Sequence, residues 1–211
     1  MKPIFLYKKL YSSFGLQGWW PAERTFEVCV GAILTQNTSW GNVEKALNNL
    51  KKEKRLDAKK ISAMKNKELA ELIRPAGYYN QKASYLKEFC LYLKKYNFNL
   101  NKFFSKKIPE LRKELLSIKG IGPETADSMI LYAAEKPVFV VDAYTKRIIN
   151  RLYNRKYDDY NKLQEFFHEN LPEDAGLFNE FHALLVRLGK DYCRKKKPLC
   201  RECPLRKECS F

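Results

Sequence analysis

Leu115-Leu116-Ser117-Ile118-Lys119-Gly120-Ile121-Gly122-Pro123-Glu124-Thr125-Ala126 is the stretch whose reading decides the fold. Its first residues continue a helical apolar pattern running from Leu111 to Ile118. Two glycines one residue apart then interrupt it. Pro123 suits the first position of a new helix, where its missing N–H is harmless. The segment reads helix, Gly-x-Gly turn, helix, with the second helix reaching about Ala134. Glycine lets a backbone turn sharply and lie close to another chain. The N–H groups at the start of the second helix then offer a seat for a phosphate oxygen without any side chain. A tight helix–helix turn is the plainer reading that the same glycines allow.

Outward from this turn the pattern is helical almost throughout. Upstream, Phe26, Val30, Ile33 and Leu34 recur on one face of a helix that stops near Asn37. A second helix is expected from about Trp40 to Lys52, with Val43, Leu47 and Leu50 inward. Asn66 reads as the cap of a short helix from Lys67 to Arg74, ended by Pro75 and Gly77. Asn80 reads as the cap of another, from Gln81 to Tyr96. Downstream, Pro137-Val138-Phe139-Val140-Val141 is strand-like in composition but has no partner run nearby, so it reads as a buried extended connection. Asp142 can cap a helix to about Tyr153, and two more cover Asn161 to Leu171 and Ala175 to Tyr192. No solenoid period is present. The class is all-α.

A chain of 211 residues predicts one large or two small domains, and 45% hydrophobic residues suffice for a packed core. The formal charge of +16 suits a phosphate backbone, although membranes and RNA also attract basic proteins. The excess is concentrated late: Arg187 to Phe211 holds nine basic and three acidic residues. No apolar run approaches the roughly 20 residues needed to span a bilayer. The N-terminal stretch lacks the apolar core and small-residue cleavage site of a signal peptide. Both point to a cytoplasmic protein (nucleoid-associated in a prokaryote), where disulfides are disfavoured. Cys193, Cys200, Cys203 and Cys209, spaced C-x6-C-x2-C-x5-C, are therefore read as thiolates around one metal centre. An iron–sulfur cluster and zinc both suit four thiolates, but zinc sites usually repeat close C-x2–4-C pairs and only Cys200 and Cys203 form one. Arg194-Lys195-Lys196-Lys197 lies inside the first interval as a basic loop. Cys29 and Cys90 fall in apolar-periodic stretches and read as small buried hydrophobes, while His168 and His182 receive no site.

The hairpin, the Lys136-Pro137 loop, Val141-Asp142, Arg147 and Asn150-Arg151, followed by the four cysteines, resemble the helix-hairpin-helix DNA glycosylases of the endonuclease III superfamily. The likeness extends from about Trp19 to Cys209. It implies a two-domain endonuclease III-like fold that binds double-stranded DNA carrying a damaged base, as a monomer. One domain would be a six-helix bundle, residues 23–136, with the helix-hairpin-helix motif at 113–134. The other would be discontinuous, residues 1–22 and 137–211, with a cluster loop at 193–209. The cysteine spacing matches the one this superfamily uses for a [4Fe-4S] cluster. Lys119, Gly120, Ile121 and Gly122 would meet phosphate, as would the exposed Arg194, Lys195, Lys196 and Lys197. Asp142 would be the catalytic carboxylate, since departure of a base builds positive charge on the sugar and a carboxylate stabilises it. A plain helix cap remains the other reading of the same residue.

Bifunctional members carry a lysine two residues after the second hairpin glycine, and here that position is Glu124. A carboxylate forms no imine, so the resemblance implies a monofunctional enzyme that uses water. Gly18-Trp19-Trp20-Pro21, the run Thr35-Gln36-Asn37-Thr38-Ser39-Trp40 and the segment Arg74 to Ala83 are similar to the 3-methyladenine DNA glycosylase III branch. That branch implies a base pocket of Trp19, Trp20, Pro21, Trp40 and Glu124, with Gln36 filling the gap left by the flipped base. The best-known member of the branch lacks the cysteine cluster that this chain keeps. Indole faces attract a cationic alkylated base by about 0.5–2 kcal/mol per contact. Flipping costs a few kcal/mol, least where pairing is already damaged. Two alternatives stand beside alkylated purines: a glycosylase for oxidised pyrimidines, mismatched thymine or adenine, or deaminated bases, and a non-catalytic iron–sulfur DNA-binding protein.

Overall fold

The computed structural model of the chain describes residues 1–20 and 25–211. Its twelve described α-helices follow in order: α1 Pro3–Phe14, α2 Thr25–Leu34, α3 Trp40–Lys52, α4 Ala58–Ala63, α5 Asn66–Leu72, α6 Tyr79–Leu93, α7 Leu100–Phe104, α8 Ile108–Leu116, α9 Pro123–Ser128, α10 Ala143–Leu152, α11 Tyr160–Asn170 and α12 Ala175–Asp191. A π-helical turn, Met129–Ala133, prolongs α9. No strand occurs among the described residues. The chain divides into two compact units: Ala22–Ala134, and Met1–Pro21 with Glu135–Phe211.

The unit Ala22–Ala134 is built around α2. That helix is apolar on all sides, and Val28 through Leu34 are buried, as expected of a helix surrounded by others. Glu27, also buried, pairs with the Lys51 ammonium at 2.7 Å. The helix α3 turns Val43, Ala46, Leu47 and Leu50 inward, and α6 contributes Leu86, Phe89, Cys90 and Leu93. Each such Leu, Val or Phe stabilises the fold by about 1.5–3 kcal/mol when fully buried.

Two capping expectations are corrected here. Asn66 is the first residue of α5 and Lys65 is its cap. Asn80 lies inside α6, which starts from Tyr78 in a left-handed conformation at φ 46. In both cases the helix begins one or two residues earlier than the Asn signal implies. The buried Lys82 explains the second case. Its ammonium donates to the carbonyls of Leu34 and Ala76, 2.8 Å each. Residues 74–83 are thereby pulled beneath the end of α2, and those carbonyl groups are satisfied.

The other unit packs α1, α10, α11 and α12 around a cluster of rings. Phe139 stacks on Phe167 with centroids 3.7 Å apart, and the edges of Phe178 and Phe181 close the cluster. Phe139 belongs to the expected extended connection, whose Val138 to Val141 are all buried. Side chains of α11 replace the missing partner strand. The Phe139 N–H donates to His168 Nε2 at 3.2 Å, Gln164 donates to the Phe139 carbonyl at 2.7 Å, and the Val141 N–H reaches the Tyr160 hydroxyl at 3.4 Å. Buried backbone groups require such partners. The ring of Tyr144 on α10 lies where a side chain at Gly189 of α12 would be, so these two helices approach closely.

Candidate functional site

In the hairpin, α8 ends at Leu116 and α9 begins at Pro123, with Gly122 as its cap. Gly120 has φ +90, a conformation that favours glycine. The face of Tyr85, on α6, lies flat against it, with ring atoms 2.1 to 2.6 Å from where a Cβ would be. Ile121 plugs inward at 5% exposure while Lys119 and Gly122 face solvent. Beneath the turn, Arg112 of α8 grips Asp127 of α9 through two bonds of 2.7 and 3.1 Å. Asp127 is fully buried, so this pair fixes the angle between the two helices of the motif. Sequence periodicity does not reveal it, because each residue alone reads as a surface charge.

Gln36 joins this group. Its amide donates to the Gly120 carbonyl at 2.9 Å and to the Thr125 hydroxyl at 3.1 Å. Entering a DNA gap would therefore require it to release both partners. Trp40 opens α3, half-buried, and its indole N–H donates to Glu44 at 2.8 Å. Glu124 is exposed in the first turn of α9.

In the other unit Asp142 caps α10, and Oδ1 accepts the Thr145 N–H at 2.7 Å. Its Oδ2 lies 3.7 Å from His182 Nε2 of α12, with side-chain exposures of only 13% and 7%. Burial lowers the His182 pKa and the Asp142 charge partly offsets that fall, so the imidazole is held towards its neutral form. His182, to which the sequence assigns no site, stands beside this carboxylate. It was hidden because an apolar helix face hosts satisfied histidines as readily as functional ones.

Lower on α10, Arg147 donates to the Cys193 carbonyl at 2.8 Å and the Gly189 carbonyl at 3.1 Å. Arg151 donates to the Arg194 carbonyl at 2.8 Å and approaches Cys193 Sγ at 3.4 Å. The resulting loop exposes Arg194, Lys195, Lys196 and Lys197. The Cys203 thiol is pushed up chiefly by burial, and the charges of Cys193, Cys209 and Cys200 add to the effect, so the four sulfurs are electrostatic neighbours. Among the described residues no His, Cys, Asp and Glu group is gathered tightly enough to hold a single metal ion. Cys29 and Cys90 are fully buried, as expected.

Trp19 and Trp20 are half-buried with ring centroids 5.7 Å apart, and the Lys190 ammonium lies 5.7 Å from the Trp19 ring. Trp19 also lines an open cleft of about 580 Å³ with Tyr7, Tyr11, Asn179 and Glu180. Pro21 lies outside the described residues. No helix among the described residues is long and apolar enough to cross a membrane.

Residues 30–173 match the family described as HhH-GPD superfamily base excision DNA repair protein. A Methanocaldococcus jannaschii protein, whose name places it among DNA repair glycosylases, is 49% identical over 97% of this chain and 94% of its own length. Endonuclease III of Thermotoga maritima is 31% identical over 88% of this chain and 83% of its own. Among solved structures, H. pylori 3-methyladenine DNA glycosylase bound to 1,N6-ethenoadenine superposes with a TM-score of 0.81 at 32% identity, covering 90% of this chain and 98% of that one. A non-covalent endonuclease III–DNA complex, at 23% identity and a TM-score of 0.82 over 98% of this chain and 92% of that one, shares the fold. With its glycine hairpin braced by Arg112–Asp127 and its capping aspartate ahead of a four-cysteine loop, the chain belongs to the HhH-GPD superfamily of base excision DNA repair glycosylases.

Proposed function

We propose that this glycosylase is monofunctional and releases alkylated purines such as 3-methyladenine from double-stranded DNA by hydrolysis. The observation that carries the reading is the Asp142 carboxylate. One of its oxygens is fixed by the Thr145 N–H, and the side chain is largely shielded from water. A carboxylate shielded in this way stabilises a sugar cation far better than one in bulk water, because the local dielectric is lower. It also accepts a proton from an attacking water. A base alkylated on a ring nitrogen is already cationic and leaves without an acid, so no proton donor is needed.

Hydrolysis without lyase chemistry follows from the residue types. Glu124 replaces the lysine that would form an imine. Lys146, one turn into α10, commits its ammonium to the Asp158 carbonyl at 2.8 Å. The indoles of Trp19, Trp20 and Trp40 suit a cationic ring, and the ethenoadenine ligand of the H. pylori relative favours a modified purine over a pyrimidine.

Cys193, Cys200, Cys203 and Cys209 would hold a [4Fe-4S] cluster, since four thiolates within one short segment are the ligand set such a cluster takes. When bound, the cluster supplies thiolate–iron cross-links that order the basic loop. Arg194 to Lys197 and the hairpin would then engage phosphates along the duplex.

The decisive experiment incubates the protein with duplexes bearing 3-methyladenine, 7-methylguanine, ethenoadenine, thymine glycol or a T:G mismatch, and identifies the released bases. Borohydride is added to a parallel set. Release of the methylated purines without a trapped adduct supports the proposal. Release of thymine glycol alone, or a borohydride-stable adduct, refutes it. Release of nothing, with DNA affinity intact, would favour a non-catalytic binder.

A further inference from the structure

We propose that His182 is a positioning residue for Asp142: its imidazole holds Oδ2, the carboxylate oxygen that the helix cap leaves open. The inference rests on the reading of Asp142 as the catalytic carboxylate. A cap alone uses one oxygen, and Thr145 N–H takes Oδ1 at 2.7 Å. With a single anchor, the carboxylate remains free to rotate about its Cβ–Cγ bond, and Oδ2 follows an arc. His182 Nε2 stands 3.7 Å from Oδ2. That is beyond hydrogen-bond length, as catalytic contacts often are before substrate tightens them.

The surroundings favour this role over simple packing. His182 is flanked on α12 by Phe181, Ala183, Leu184 and Leu185, all buried and apolar. A leucine there would pack without the desolvation that the imidazole incurs. One polar group beside the cap is also unmatched. The Thr145 hydroxyl, in the first turn of α10, is buried with no hydrogen-bond partner among the described residues. Polar groups retained at the expense of stability concentrate at working sites.

The charge state matters as well. A cationic partner would draw on the negative charge that Asp142 must offer to the sugar. Burial keeps the imidazole towards its neutral form. With its proton on Nε2, a neutral ring donates one hydrogen bond to Oδ2 and leaves the net charge of the carboxylate intact. It orients the carboxylate without neutralising it. Misplacing a reacting group by about 1 Å can lower the rate on the order of 100-fold.

The test compares His182→Leu, His182→Gln and His182→Asn with Asp142→Asn, all as full-length protein. The substrate is whichever lesion duplex the wild type cleaves. Single-turnover release rate, DNA affinity and thermal midpoint are measured for each. Gln can place an amide N–H near the site of Nε2, whereas the Asn side chain is one carbon too short. His182→Leu and His182→Asn are expected to release base about 10- to 100-fold more slowly, with DNA affinity within about twofold. His182→Gln is expected to recover most of the rate. If His182→Leu fails to fold, the Asn and Gln pair carries the comparison. Equal rates for Gln and Asn, or losses that track the thermal midpoint, overturn the role of His182. Turnover by Asp142→Asn near the wild-type rate would instead overturn the reading of Asp142, so the two failures are distinguishable.

Discussion

Gly120→Ala is expected to destabilise the protein by about 2–6 kcal/mol, in two separable parts. The first is conformational. Gly120 has φ +90, and a residue with a Cβ held in such a sparsely populated region costs about 1–3 kcal/mol. The second is steric. The new Cβ would lie 2.1 Å from Tyr85 Cγ, 2.2 Å from Cδ1 and 2.6 Å from Cδ2. These are inner atoms of the ring, so a change of the side-chain tip does not relieve the contact. The ring or the turn must move, at about 1–3 kcal/mol for an overpacked site. A double-mutant cycle with Tyr85→Ala separates the parts, because removing the ring relieves the collision and leaves φ unchanged. Urea unfolding followed by circular dichroism supplies the free energies. Gly120→Ala in the Tyr85→Ala background should cost about 1–3 kcal/mol less than in the wild type. Strict additivity, or a single variant within about 0.5 kcal/mol of wild type, would refute the geometry of the hairpin.

Three further outcomes are expected. Arg112→Ala leaves the fully buried Asp127 without its guanidinium and should cost about 3–5 kcal/mol by urea unfolding, with weakened DNA binding; a loss under about 1 kcal/mol would count against the brace. Burial pushes Lys82 down to about 8 from 10.5, so between those values the unfolded chain keeps a proton that the folded chain has lost, and stability rises with pH. Relative to Lys82→Met the wild type should gain up to about 3 kcal/mol across that window, and parallel pH profiles would exclude the shift. Cys203→Ser should abolish the brown colour and lower iron from about four atoms per chain when purified anaerobically, while stoichiometric zinc in the wild type would reject the cluster.

The helical class, the Gly-x-Gly turn, the bounds of α3, the buried run from Val138 to Val141 and the Asp142 cap were all legible, because each depends on local chemistry. Periodicity reports which face is buried, glycine marks the turn, and a short acidic side chain meets the N–H groups ahead of it. The helix α1 was missed. Its inward Pro3, Leu6 and Leu10 are interleaved with exposed Phe5 and Tyr11, which blurs the apolar stripe. The short α4 and α7 were missed too, since one or two turns carry too few periodic positions. Arg112–Asp127, Lys82 with its two carbonyls and His182 beside Asp142 were illegible for another reason. Each is a tertiary pairing, and neither partner's own surroundings in the chain announce the other. The Asn80 cap failed because tertiary anchoring by Lys82 outweighs the fraction of a kcal/mol that distinguishes neighbouring cap positions.

The helix α10 carries Asp142 at one end and, from Arg147 and Arg151, two guanidinium struts to the cysteine loop at the other. The struts end on the backbone of Cys193 and Arg194, atoms whose positions depend on how that loop is wound. A change in the winding of that loop would shift these footings, and a rigid ten-residue helix would carry the shift to its opposite end, where the carboxylate sits.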